Sequence, residues 1–198
     1  MGAGIATACL QAGLSVTMVE RNENAFCDGL ARVEAAIGKA CSIGKMSKTE
    51  ADVAKEAFRG GTDYSNLGDC DLVIEAVFED MGVKKDVFAK LDAATRSNTV
   101  LATNTSYLDV DEIAKAVNDP TRVIGLHFFS PAHVMKLLEV IVTAKASADA
   151  LATGISLGHR LKKTIAAAGV CDGFIGNRVM SAYRREADYM IEDGALPH

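Results

Sequence analysis

Residues 1–21 read MGAGIATACLQAGLSVTMVER. Small residues and helix formers run to residue 12. Gly13 then supplies a residue that accepts the left-handed conformation of a helix end. Leu14–Glu20 follows as a strand with a β-branched centre, closed by an acid. Helix, glycine stop, strand and acid form the second half of a dinucleotide-binding βαβ unit. The complete fingerprint is G-x-G-x-x-G after a strand. Its glycines allow a tight turn, close approach to pyrophosphate and close helix–strand packing. Gly2 fits the third glycine. Glu20 lies 18 residues beyond Gly2, near the offset of the acid that bonds a ribose 2′-hydroxyl. A carboxylate there repels a 2′-phosphate, which favours NAD over NADP; the neighbouring Arg21 works the other way. The plainer reading is a small-residue helix on a sheet, with Glu20 an ordinary strand-end acid. This stretch alone leaves both readings open.

The remaining chain alternates strand and helix. Residues 23–41 and 47–57 have helical spacing, and a short strand is expected near Phe58–Thr62. DLVIEAV (71–77) is an apolar strand of the kind buried on both faces of a parallel sheet. A helix over 80–95 follows, then a strand running into a polar turn (99–106) and a helix over Asp109–Val117. Strands over 122–131 and 136–142, a helix over 147–163, a weak strand over Thr164–Val170 and a long helix over Asp172–Glu192 complete the pattern. This alternation predicts an α/β, Rossmann-type doubly wound parallel sheet. Ligands of such sheets sit beyond the carboxyl ends of the strands. That rule points to Glu20, Val77–Glu79, Asn104–Ser106 and His127–Ser130. The first strand of the unit is missing, so its two neighbours are expected to lose ladder partners. Met1 is accordingly expected not to be the natural start of an active enzyme.

The 198 residues are 49% apolar and 24% charged, a composition that supports one sizeable core. A net charge of −5 without a basic cluster argues against nucleic acid or an anionic membrane as partner. No apolar run approaches the roughly 18 residues a spanning helix needs, and no signal peptide is visible. Five scattered cysteines without a CxxC suit free thiols in a reducing, cytoplasmic compartment and no metal site.

GLHFFSPAHVMKLLEV (125–140) carries the chemistry. His127 lies near the end of a buried strand, on the ligand side, and Glu139 lies in the next strand. If these strands run antiparallel, the two side chains meet at one edge of the cleft. A carboxylate that orients a histidine fixes its tautomer and stabilises the imidazolium, making a general base for removing a hydroxyl proton. The plainer reading is a buried, hydrogen-bonded histidine and a surface glutamate. His133 is a rival base without an obvious carboxylate partner; His159 and His198 are expected to be solvated. Asn104, Thr105 and Ser106 bring short polar groups to a strand end, for a substrate carbonyl, the cofactor amide or simply a turn. Asn177, a mediocre helix former inside a helix, suggests a polar contact into the cleft.

MGAGIA, DLVIEAVFEDMGVKK, LATNTS, HFFSPAHVMKLLEV and GFIGNR occur in one order over nearly the whole chain. Together they resemble the L-3-hydroxyacyl-CoA dehydrogenase family. HFFSPAHVMKLLEV is most similar to the dehydrogenase part of multifunctional fatty-acid β-oxidation proteins. The resemblance implies NAD as cofactor and oxidation of an L-3-hydroxyacyl-CoA to the 3-ketoacyl-CoA. It implies His127 as the base, Glu139 as its partner, Ser106 between substrate and nicotinamide, and Asn177 on the substrate side. Met1, Gly2, Glu20, Val77, Glu79, Lys84, Ser106 and Ser130 are implied on the cofactor side. Ser130 falls where many single-function members carry Asn. A CoA-contacting lysine is implied within 32–48, as Lys39 or Lys45. Residues 1–170 match the NAD-binding domain, and residues 171–198 match the start of a helical substrate and dimerisation domain. The chain is thus expected to be a piece of a homodimeric or multidomain enzyme, weakly active or inactive by itself. Two alternatives remain: a non-catalytic nucleotide-binding Rossmann module, and a dehydrogenase of a free 3-hydroxy acid.

Overall fold

Each chain segment with an alternating or fully apolar pattern becomes a strand, and most intervening helices start on a side-chain cap. A computed structural model of the chain describes residues 1–195. His198 and the last positions of the 171–198 segment lie outside the described residues. The elements are α1 (Gly2–Gln11), β1 (Val16–Val19), α2 (Glu23–Ser42), α3 (Lys48–Glu56), β2 (Phe58–Gly61), β3 (Leu72–Glu75) and α4 (Met81–Ala94). They continue as β4 (Val100–Thr103), α5 (Val110–Ala114), β5 (Val123–Phe128), β6 (Leu137–Val142), α6 (Ala148–Arg160), β7 (Thr164–Gly169) and α7 (Gly176–Glu192). Asn22, Ser47, Asp80, Asp109 and Ser147 accept a backbone N–H at the starts of α2 to α6, satisfying donors that a helix otherwise leaves orphaned. Gly13 is left-handed, as expected.

The strands form a parallel pair β1–β2 and a five-stranded sheet in the order β3-β4-β5-β6-β7. Strands β3, β4 and β5 run parallel, β6 runs antiparallel to β5, and β7 runs parallel to β6. The expected loss of ladder partners is visible: β1 pairs with β2 alone, and β3 with β4 alone. Their residues are mostly half-buried, whereas β4 and β5 are buried throughout. The pleat sends alternate residues to opposite faces. Leu101 and Val123 pack with Phe88 and Leu91 of α4 and Val110 and Ile113 of α5. Ala102, Ile124 and Leu126 pack with Ile5 of α1 and Ala150 of α6 on the other face.

Several expected boundaries shift: the strands expected over 71–77, 99–106 and 122–131 pair over Leu72–Glu75, Val100–Thr103 and Val123–Phe128, and the helices expected over Asp109–Val117 and 147–163 span Val110–Ala114 and Ala148–Arg160. The strand expected over Leu14–Glu20 pairs over Val16–Val19. The helix expected from Asp172 starts at Gly176, because Gly173 and Phe174 take positive φ values of 68° and 47°. No residue of α7 is buried.

Gly125 lets β5 and β6 close against each other. A Cβ there would lie 2.6 Å from Ile141 Cβ and 3.5 Å from Val110 Cγ2. Gly125→Ala is expected to cost about 1–3 kcal/mol by overpacking. A melt of the purified variant should show Tm lowered by roughly 2–12 °C; an unchanged Tm would mean that β6 yields freely.

Candidate active site

His127 and Glu139 occupy directly opposed positions of the antiparallel β5–β6 ladder. The register thus supplies the meeting that the sequence left conditional. His127 Nδ1 lies 2.7 Å from Glu139 Oε2, and both side chains are almost fully buried. A carboxylate only accepts, so Nδ1–H donates, and in the neutral ring Nε2 carries the lone pair. Glu139 Oε1 accepts from the amides of Ile175 at 3.0 Å and Gly176 at 2.8 Å. The buried carboxylate is therefore satisfied on both oxygens, as a charge removed from water must be. Phe129 and Phe174 pack on the imidazole, with ring centroids 4.5 Å and 5.6 Å away. His133 sits exposed beyond β5, and His159 is exposed on α6.

A second polar cluster lies where β3 and β4 end. Glu75 is buried, and its two oxygens accept from Lys84 Nζ at 2.8 and 3.1 Å. Oε1 also accepts from the Val77 amide at 2.6 Å, and Oε2 from the Thr103 hydroxyl at 2.7 Å. Lys84 reaches Glu79 Oε2 at 3.4 Å. Glu79 Oε1 in turn accepts from the Thr105 hydroxyl at 2.6 Å and from the amides of Ser106 and Tyr107 at 2.8 and 3.2 Å. Burial pushes the Glu79 carboxyl up, but the Thr105 and Ser106 hydrogen bonds, the Lys84 ammonium and the Tyr107 amide outweigh it. Its affinity for a proton thus falls below the ordinary carboxylate range. Asn104 is buried and its side-chain oxygen accepts from the Phe128 amide at 2.8 Å. Of the three polar groups at this strand end, Asn104 and Thr105 are engaged inside the protein. The Ser106 hydroxyl makes no hydrogen bond among the described residues. Lys84, expected on the cofactor side, keeps its ammonium inside the protein between two carboxylates. Glu79 and Val77 are exposed at the same end of the sheet.

The third group lies around the start of α1. This helix has no side-chain cap, so its first N–H groups and the positive end of its dipole face outward, a ready anion site. Gly2 has no atom within 4 Å of a built Cβ, whereas one at Gly4 would touch Ala132 at 3.5 Å. Met1, Gly4, Thr7, Arg32, Ser130 and His133 line a cleft of about 190 Å³ there. Burial first, then the charges of Lys163, Lys39 and Lys45, hold His133 below the usual imidazole range. Glu20, half-buried, follows β1, and its amide donates to Gly61 O at 3.0 Å. Glu20 at the end of β1 and the uncapped start of α1 could each hold part of a dinucleotide. Asn177 is half-buried in the first turn of α7. A larger cleft of about 490 Å³ beside α5 is lined by Asp111, Lys115 and Asn118 and contains none of the expected site residues.

The family described as "3-hydroxyacyl-CoA dehydrogenase, NAD binding domain" matches residues 1–170. The chain belongs to this family. It is 43% identical over 197 residues to the peroxisomal bifunctional enzyme of Danio rerio, covering 100% of this chain and 27% of that protein. It is 38% identical over 198 residues to a glyoxysomal fatty acid beta-oxidation multifunctional protein of Brassica napus, again covering 27% of that protein. The chain thus spans about a quarter of these relatives. Among solved structures it is similar to the (S)-3-hydroxybutyryl-CoA dehydrogenase of Ralstonia eutropha. That match has TM-score 0.96 and 31% identity, and covers 100% of this chain and 70% of that one. Among the described residues no helix is long and apolar enough to cross a membrane.

Within this 3-hydroxyacyl-CoA dehydrogenase domain, sequence reasoning passed over Glu75, Phe129 and Phe174. Glu75 carried a readable signal. It is the one acid inside an otherwise apolar strand, and a buried acid requires a cation. Lys84, nine positions on, faces back from the following helix. Phe174 had no such signal, because its role depends on a left-handed turn that a helical pattern conceals.

Proposed function

We propose that this domain carries out the NAD-dependent oxidation of an L-3-hydroxyacyl-CoA to the 3-ketoacyl-CoA, within a longer fatty-acid β-oxidation enzyme. The observation that carries the reading is the buried Glu139–His127 pair, which presents Nε2 as base at the ligand end of the sheet. Bound NAD+ supplies the acceptor for the hydride that leaves C3. His127 Nε2 takes the hydroxyl proton as the C3–O bond becomes a carbonyl. Glu139 holds the ring and stabilises the imidazolium. Ser106 and Asn177, neither committed elsewhere among the described residues, hold the substrate oxygen side, with Ser106 also toward the nicotinamide. Glu20 holds the adenosine ribose; Met1, Gly2 and Ser130 line the phosphate and nicotinamide side. Val77 and Glu79 border the cofactor, with Lys84 acting through Glu79.

Lys45 and Lys39, with Arg32 nearby, suit the phosphates of CoA. A free 3-hydroxy acid would leave these lysines without phosphates to bind, and a non-catalytic module would leave the His–Glu pair without a use. Residues 1–170 form the cofactor domain and 171–198 open the helical domain of the same proposal. The parent enzyme is a homodimer or multidomain protein. Five free thiols suit a reducing interior such as the cytoplasm, while the relatives' own names place those proteins in peroxisomes or glyoxysomes.

The cofactor part is tested by NADH fluorescence titration of the full-length protein carrying this chain. Glu20→Ala removes a hydrogen bond to a charged group, worth about 1.5–3 kcal/mol. It is expected to weaken binding by about 10- to 100-fold. Equal affinity in both proteins would remove Glu20 from the site.

A further inference from the structure

We propose that the turn Gly173–Gly176 is a positioning element for the catalytic base, with Phe174 and Gly176 as its working residues. This inference rests on the reading of His127 as base. Three independent contacts support it. The amides of Ile175 and Gly176 hold Glu139 Oε1, the oxygen that His127 does not use. The Phe174 ring, only 1% exposed, packs on the imidazole. Gly176 leaves room for Phe129: a Cβ there would lie 2.7 Å from Phe129 Cζ, and Phe129 covers His127 at 4.5 Å.

Phe174 takes φ +47°. For a bulky side chain this is a strained backbone state, kept only where surroundings over-determine it. Here they do. Gly173, also left-handed at φ +68°, accepts from the Arg178 amide at 3.1 Å, and the Phe174 amide donates to Cys171 O at 3.2 Å. A relaxed helical turn over 172–176 would move the aromatic ring and both amides together. The turn thus couples the start of α7 to the orientation of His127: two donors fix Glu139, and Glu139 fixes the imidazole. Phe174 touches neither substrate nor cofactor in this account; it acts through His127.

The test uses Gly176→Ala, Phe174→Ala and, as the conservative variant, Phe174→Leu, with two readouts. The first is the far-downfield proton NMR line of the His127 Nδ1–H, hydrogen-bonded to Glu139, in the 198-residue chain. The second is kcat for acetoacetyl-CoA reduction, beside NADH affinity, in the full-length protein. The line is expected to vanish or shift in Gly176→Ala and Phe174→Ala and to persist in Phe174→Leu. In the same two variants kcat is expected to fall by about 10²-fold, the effect of misplacing a catalytic group by about 1 Å, with NADH affinity unchanged. Phe174→Leu should recover most of the turnover. An undisturbed line in both disruptive variants, or losses in NADH affinity equal to those in kcat, would overturn the proposal. A wild-type protein without turnover on acetoacetyl-CoA would remove the proposed function, while the NMR line would still decide whether the turn holds the histidine.

Discussion

His127→Asn in the full-length protein is expected to lower kcat for acetoacetyl-CoA reduction by about 10²–10⁴-fold, the usual contribution of a positioned acid or base. NADH affinity should remain unchanged, because His127 lies on β5 while Glu20, the proposed ribose acid, follows β1. The loss should appear equally in kcat and kcat/KM, since proton transfer is an interaction of the transition state alone. Steady-state kinetics at saturating NADH make the comparison. A variant that keeps most of its turnover would leave the buried pair a structural contact, and the domain a nucleotide-binding module.

The second large effect is on stability. Lys84→Met leaves the Glu75 carboxylate at 0% side-chain exposure without its cation. Breaking a buried pair from one side costs about 3–5 kcal/mol. For a domain of this size that lowers Tm by roughly 6–20 °C. The double variant Glu75→Gln/Lys84→Met removes both charges and should recover a large part of the loss. The exposed pair Lys115–Glu112 makes the contrast. It is an i,i+3 surface contact, and Lys115→Ala should cost under about 1 kcal/mol. Equal melting temperatures for Lys84→Met and Lys115→Ala would show that water reaches Glu75.

The same cluster indicates what a sequence can and cannot carry. Runs such as DLVIEAV announced their strands, because burial on both faces demands continuous apolar character. The helices over 23–41, 47–57, 80–95 and 147–163 were legible from their spacing, and Asn22, Ser47, Asp80 and Ser147 cap their starts in the structure. His127 and Glu139 were legible as a pair only on the condition that their strands run antiparallel, and the structure meets that condition. Their contact depends on an antiparallel register across a turn, and no local pattern fixes that register. Glu20 and Gly2 were legible as half of a motif. The use of Lys84 was not, because its ammonium is drawn inward by Glu75, a partner from another element. Gly173–Gly176 misled in the other direction: GFIGNR has helical spacing, while the buried contacts of Phe174 hold the chain in a left-handed turn.

The most direct test of the central claim compares two oxidants of NADH in the full-length protein carrying this chain: acetoacetyl-CoA and free acetoacetate at equal concentration. The account predicts NADH consumption with the thioester and none above background with the free acid. This follows because the lysine proposed to contact CoA, Lys39 or Lys45, has phosphates to bind only in the first case. Consumption at similar rates with both would contradict the thioester assignment and make the domain a dehydrogenase of free hydroxy acids.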